Sequence, residues 1–154
     1  MTKKSKTILL VEDDSFKLDR IAACLSRAPF DLTIVCAGSV QAAVEKIGSG
    51  RYDFIFLDMS LPSHDLKPGG GAGASLLSGG IEIIMELSFL KRTDAVVIVT
   101  QYPEVEIEGE LIPISRVHSV LCETFESNTI GVILYRHEST LWEDEVLSIM
   151  ELRE

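Results

Sequence analysis

The chain has 154 residues, of which 46% are hydrophobic and 25% are charged, and this composition is typical of one globular domain with a sizeable core. We therefore expect no second catalytic or DNA-binding domain. The 14 Lys and Arg against 24 Asp and Glu give a net charge of −10, which disfavours direct binding to nucleic acid or to anionic lipid.

Five short apolar runs predict β-strands, at residues 8–11, 32–36, 54–57, 95–99 and 132–135. Because these runs are continuous rather than alternating, they indicate a parallel sheet that is covered on both faces. A helical pattern of apolar residues follows each run, and the five patterns are marked by Leu18 and Leu25, Val40 and Ile47, Ile83 and Leu90, Val117 and Phe125, and Val146 and Met150. Asp14 or Ser15 is the predicted cap of the first helix, and Ser39 that of the second.

Strands that alternate with helices predict an α/β protein, with one doubly wound, five-stranded parallel sheet and helices on both of its faces. In such folds the functional site lies at the carboxyl ends of the strands, near the point where the strand order reverses. Two connections leave that edge and are unusually long, the glycine-rich residues 63–79 and residues 101–113. Within the second, alternating residues around Glu108 and Gly109 predict a small hairpin.

Carboxylates follow two of the predicted strands at this edge. Glu12 and Asp13 follow the first strand and Asp58 follows the third, while Thr100 ends the fourth. Like charges at close range raise each other's pKa unless a cation neutralises them, and Mg²⁺ suits carboxylates and water. Such a metal would screen an incoming phosphoryl group, so that one Asp could attack phosphorus and become an aspartyl phosphate.

Four stretches carry a resemblance to a known family: residues 8–14 (ILLVEDD), 54–62 (FIFLDMSLP), 80–87 (GIEIIMEL) and 96–100 (VVIVT). In these motifs and in its order of elements, the chain resembles the receiver domains of two-component response regulators. The resemblance implies one receiver domain over residues 1–154, with a flavodoxin-like strand order 2-1-3-4-5. It also implies that residues 63–79 and 101–113 are loop insertions.

The resemblance further implies a role for each site residue. Asp58 would be the phosphoacceptor, and Glu12, Asp13, Asp58 and the backbone carbonyl of Ser60 would hold Mg²⁺. Thr100 would be the switch hydroxyl that moves toward the phosphoryl group. The implied donor is a phosphohistidine on a sensor histidine kinase or a phosphotransfer protein.

The end of the fifth strand departs from the family, which normally has a Lys followed by Pro there. Residues 134–137 read LYRH and contain no Lys, so Arg136 is the candidate for the missing cation. A planar guanidinium does not fill the place of a compact ammonium without rearrangement. The bulky Gln101 stands where the family usually has a small residue.

The leading hypothesis is a stand-alone cytoplasmic response regulator in which phosphorylation of Asp58 changes how helix four, strand five and helix five bind a downstream target protein. The alternative is a pseudo-receiver that binds a partner constitutively without phosphorylation. An Asp-nucleophile phosphohydrolase is disfavoured because Ser60 stands where the second acid would be needed, and a flavodoxin-like redox protein because carboxylates end the first strand. The chain is therefore not expected to be an enzyme. No signal peptide or membrane span is predicted.

Overall fold

A computed structural model describes residues 3–63, 75–76 and 79–152 of the chain. In chain order its elements are β1 (Ser5–Val11), α1 (Ser15–Leu25), β2 (Asp31–Ala37), α2 (Val40–Ser49), β3 (Phe54–Leu57), β4 (Leu61–Pro62), β5 (Ser75–Leu76), α3 (Gly79–Phe89), β6 (Ala95–Thr100), β7 (Glu104–Ile107), β8 (Glu110–Pro113), α4 (Ile114–Phe125), β9 (Thr129–Leu134) and α5 (Leu141–Glu151).

The central sheet has five parallel strands in the order β2, β1, β3, β6, β9. Counting only these strands along the chain, the order is 2-1-3-4-5, so the predicted fold class and strand order are confirmed. All five predicted strands are present, and β1, β2 and β9 begin earlier than their apolar runs. The predicted caps are also in place, because the side chain of Asp14 accepts hydrogen bonds at the start of α1 and that of Ser39 at the start of α2.

Helices cover both faces of the sheet, and alternate strand residues belong to opposite layers. On one face, Leu9, Ile55 and Ile98 share a core with residues of α2, α3 and α4. On the other face, Leu10, Phe56 and Val97 share a core with α1 and α5. Strand β3 is buried along its whole length and is the middle strand of the five. The chain that follows it therefore emerges at the centre of the sheet's carboxyl edge.

Two short antiparallel pairs accompany the main sheet. Strands β7 and β8 form the predicted hairpin, and its turn has positive φ angles at Glu108 and Gly109. Strands β4 and β5 pair at the two ends of the other long connection. Most of the insertion predicted at residues 63–79 lies outside the described residues.

In the described part of the chain, no helix is both long enough and apolar enough to cross a membrane.

Candidate functional site

The carboxyl edge of the sheet brings Glu12 and Asp58 together. The last residues of β1 and β3, Val11 and Leu57, lie side by side in the parallel register. The Asp58 amide continues that pairing by donating a hydrogen bond of 3.0 Å to the carbonyl of Val11. The residues that follow the two strands therefore emerge next to each other.

Three carboxylates converge at this point. Glu12, Asp13 and Asp58 each offer one oxygen atom, and these three atoms lie within 4.8 Å of one another. Glu12 and Asp58 are buried, whereas Asp13 is exposed. The cluster predicted from the sequence is thus assembled, with one side open to solvent.

Burial makes the two inner carboxylates reluctant to ionise. It raises the pKa of Glu12 to about 8, and the neighbouring charge of Asp58 adds to this effect, while the ammonium of Lys17 opposes it. Burial likewise raises the pKa of Asp58, against the lowering influence of Lys17. An additional cation would therefore favour the ionised pocket.

The residues fit a divalent cation. Oε1 of Glu12 and Oδ1 of Asp58 are buried, and neither accepts a hydrogen bond with acceptable geometry from the described residues. Two buried carboxylates that share the ammonium of Lys17 keep an excess of negative charge, which is costly, and metal coordination is one way of balancing it. An all-oxygen set with an open, solvent-facing side matches the preference of Mg²⁺ for a few carboxylates and retained water.

Lys17 was not among the predicted site residues, yet its ammonium lies inside this pocket. Nζ is 2.6 Å from Oε1 of Glu12 and 3.4 Å from Oδ1 of Asp58. The sequence did hold a signal for its burial, because Lys17 precedes Ile21 by four residues and Cys24 by seven, and all three face the core. The helical phase thus placed a lysine on the buried stripe of α1.

The other predicted residues occupy different surroundings. Thr100 is fully buried, and its Oγ1 accepts a hydrogen bond of 3.2 Å from the amide of Tyr102. Ser60 and Thr100 both line a cavity of about 190 Å³ that the β7–β8 hairpin borders through Val105 and Leu111. The β7–β8 hairpin therefore borders a cavity beside Ser60 and Thr100.

The structure does not bring Arg136 into the acidic cluster. Its side chain is exposed, and it forms no ion pair with Glu12, Asp13 or Asp58, all of which belong to the described residues. It follows β9 directly after the buried Tyr135 and points to a different part of the surface, beside Gln101 and His137.

The sheet order and the acidic pocket together define a receiver domain of the response-regulator class. A similar solved structure is that of the response regulator protein TrrA from Thermotoga maritima in complex with Mg²⁺ and BeF. It has a TM-score of 0.61 and 16% sequence identity, and the match covers 97% of this chain and 99% of that one. At 16% identity this similarity shows a shared fold only.

Two curated relatives specify the family. The Detocs response regulatory protein DtcB of Vibrio alginolyticus is 32% identical over 152 residues, which covers 94% of this chain and 99% of that protein. The protein of the same name from Enterobacter cloacae (strain JD6301) is 25% identical over 142 residues, covering 90% of this chain and 95% of that protein. The chain belongs to this family of Detocs response regulatory proteins. No protein-family model matches it.

Proposed function

We propose that this chain is a phosphoryl acceptor in a two-component pathway and that Asp58 is the acceptor residue. The observation that carries the proposal is the convergence of Glu12, Asp13 and Asp58 within 4.8 Å at the end of the sheet. Asp58 directly follows β3, which is the central strand of the five-stranded sheet.

In the proposed reaction a carboxylate oxygen of Asp58 forms a bond to phosphorus while the bond from phosphorus to a donor histidine nitrogen breaks. The histidine nitrogen keeps the electron pair and takes up a proton. Glu12, Asp13, Asp58 and the backbone carbonyl of Ser60 would hold Mg²⁺, which when bound screens the charge between the carboxylate and the phosphoryl oxygens. A sensor histidine kinase or a phosphotransfer protein is the proposed donor.

The buried hydroxyl of Thr100 could transmit phosphorylation of Asp58 to the protein surface by changing its hydrogen-bond partner. This hydroxyl now accepts a hydrogen bond from the amide of Tyr102. If it turns toward a phosphoryl oxygen, the amide loses its acceptor just before the β7–β8 hairpin begins. We propose that this change alters the surface of α4, β9 and α5, where a downstream protein would bind.

The test is the intact mass of the protein after incubation with Mg²⁺ and acetyl phosphate. We expect one phosphoryl adduct, which is absent without Mg²⁺ and absent in Asp58→Asn. Asp53→Asn is the matched control, because Asp53 is an exposed aspartate at the opposite end of β3 whose carboxylate accepts a hydrogen bond from the amide of Thr7, as an asparagine oxygen also can. An adduct that persists in Asp58→Asn would refute the assignment of the acceptor.

A constitutive binding module that does not use phosphorylation is the second candidate. It is favoured by the ion pairs that Lys17 makes with Glu12 and Asp58, since an internal cation already neutralises part of the pocket. This function predicts no adduct with acetyl phosphate or with a cognate kinase, although the protein is folded and binds Mg²⁺. The same mass measurement therefore separates the two candidates.

A further inference from the structure

Lys17 is buried at a position where the fold itself does not require a charge. It is the third residue of α1, and only 1% of its surface is exposed. Lysine is almost never fully buried unless its charge is paired, because removing an ammonium from water is costly. An unbranched apolar side chain would fill the same space without that cost. The charge of Lys17 therefore needs an explanation beyond packing.

The cap of α1 fixes the start of the helix that carries Lys17. The side chain of Asp14 accepts hydrogen bonds from the amides of Phe16 at 2.9 Å and Lys17 at 3.3 Å. The acidic residues 12–14 thus form the whole connection between β1 and α1. As a result, the side chain of Lys17 extends from α1 toward the sheet. Its ammonium lies near the carboxyl ends of β1, β3 and β6.

The ammonium contacts every strand that contributes to the site. It pairs with Glu12 after β1 and with Asp58 after β3, and it donates a hydrogen bond of 3.0 Å to the carbonyl of Val99 in β6. The ring of Tyr135, directly after β9, lies 5.4 Å from Nζ and offers its face to the cation. Lys17 thus spans the edge of the sheet from β1 to β9.

The contact with Asp58 is the one that bears on phosphoryl transfer. Nζ lies 3.4 Å from Oδ1, which is long for a charge-assisted hydrogen bond, whereas its 2.6 Å contact with Glu12 is short. A phosphoryl group on Asp58 would bring additional negative oxygens to this neighbourhood. A compact ammonium on a flexible four-carbon stem can follow such oxygens by a small change in its torsion angles.

We propose that Lys17 binds the transferred phosphoryl group and thereby takes, from α1, the role of the lysine that is missing at the end of strand five. This proposal rests on the proposed function of Asp58. The charge of the Lys17 ammonium stabilises the phosphoryl oxygens as the bond to Asp58 forms and the bond to the leaving group breaks. With acetyl phosphate as the donor, acetate departs with the electron pair.

The experiment compares Lys17→Met with the wild-type chain. Methionine keeps an unbranched side chain of similar length in the buried site and removes only the charge. Lys46→Met is the matched control, since Lys46 is an exposed lysine on α2. For each protein, the initial rate of adduct formation with acetyl phosphate is measured by intact mass at saturating Mg²⁺, and Mg²⁺ affinity is measured separately by calorimetry.

The proposal predicts that the two readouts move in opposite directions in Lys17→Met. The phosphorylation rate falls by about a hundredfold, as is typical when one electrostatic contact to a transition state is lost. The affinity for Mg²⁺ rises, because a positive charge beside the metal ligands has been removed. Lys46→Met stays within about twofold of wild type in both measurements, since an exposed charge contributes little.

Other outcomes overturn the proposal in distinguishable ways. Equal rates in wild type and Lys17→Met would refute the role of Lys17 and leave the function of Asp58 intact. A variant that loses both phosphorylation and Mg²⁺ affinity would show that Lys17 only maintains the shape of the pocket. A wild-type chain that binds Mg²⁺ and forms no adduct would refute the proposed function and the assignment of Lys17 with it.

Discussion

The two ends of the central sheet each bury charged side chains, and they do so in opposite ways. At the amino edge, before β3 and β6, Arg92 and Asp94 form a bidentate ion pair with two contacts of 2.8 Å. Arg92 also donates to the carbonyls of Ile47 and Gly50, and Asp94 accepts a further hydrogen bond from the amide of Tyr52. One cation meets one anion, and both are fully hydrogen-bonded.

The carboxyl edge has the opposite balance. Lys17 alone faces the buried Glu12 and Asp58, and one oxygen of each carboxylate accepts no well-formed hydrogen bond from the described residues. A complete network stabilises a fold, whereas an incomplete one leaves ligand atoms available. The amino edge therefore stabilises the fold, whereas the carboxyl edge keeps an excess of negative charge that a metal ion can balance.

The largest expected effect on stability comes from removing one cation from each edge. Arg92→Met should lower the free energy of unfolding by about 3–5 kcal/mol, because Asp94 would stay buried without a partner. Lys17→Met should cost less, about 1–2 kcal/mol without Mg²⁺, because burial already raises the pKa of Glu12 and of Asp58, and protonation can relieve the charge that the lysine leaves behind. Urea denaturation of both variants measures the two losses. Equal losses would contradict the distinction between the edges.

The backbone behind Asp58 offers a second test. A Cβ atom on Gly80 would lie 2.8 Å from the carbonyl oxygen of Asp58 and 2.8 Å from Cα of Met59, so α3 can approach this loop only with glycine there. Gly80→Ala should cost about 1–3 kcal/mol of stability through overpacking and should slow phosphorylation as the loop moves.

Gly48→Ala is the control for that substitution. Gly48 lies within α2, and a Cβ there would meet nothing within 4 Å. Alanine should therefore stabilise the helix by about 0.5–1 kcal/mol and leave phosphorylation unchanged. If Gly80→Ala behaves like Gly48→Ala in thermal unfolding and in adduct formation, the close approach is not important for the site.

The pH dependence of the amino edge gives a third test. Burial alone would raise the pKa of Asp94, but hydrogen bonds from Arg92 and from the Tyr52 amide hold it below its ordinary value of 3.8. Asp94 therefore contributes stability above pH 3.8 that is lost as the pH falls through the lowered pKa. Asp94→Asn should be less stable than wild type by about 2 kcal/mol at neutral pH, and this gap should narrow well below pH 3.8. Urea denaturation at both pH values measures the gap, and a constant gap would refute this account.

The comparison also shows which features the sequence could predict. Continuous apolar runs and helical periodicity were sufficient for the alternating strands and helices of a parallel sheet, whereas the strand order followed from the resemblance to receiver domains. The acidic residues that follow β1 and β3 were sufficient for the pocket. Arg136 was the candidate for the missing cation because the family carries its lysine at the end of strand five. The ammonium of Lys17 instead reaches Asp58 from α1, and a contact between side chains 41 residues apart depends on how α1 packs against the sheet. The Arg92–Asp94 pair carried no motif and was not predicted.

The smallest expected effect is the response of the carboxyl edge to Mg²⁺. A ligand at ten times its dissociation constant stabilises the folded state by about 1.4 kcal/mol, which corresponds to a rise of about 3–6 °C in Tm for a domain of this size. Asp13→Asn should abolish this rise, because it removes the exposed carboxylate that completes the three-oxygen cluster. Asp53→Asn should retain it, since Asp53 lies at the other end of β3. A rise in Tm that persists in Asp13→Asn would place the bound ion elsewhere, and the excess of buried carboxylates would then have to be balanced by Lys17 alone.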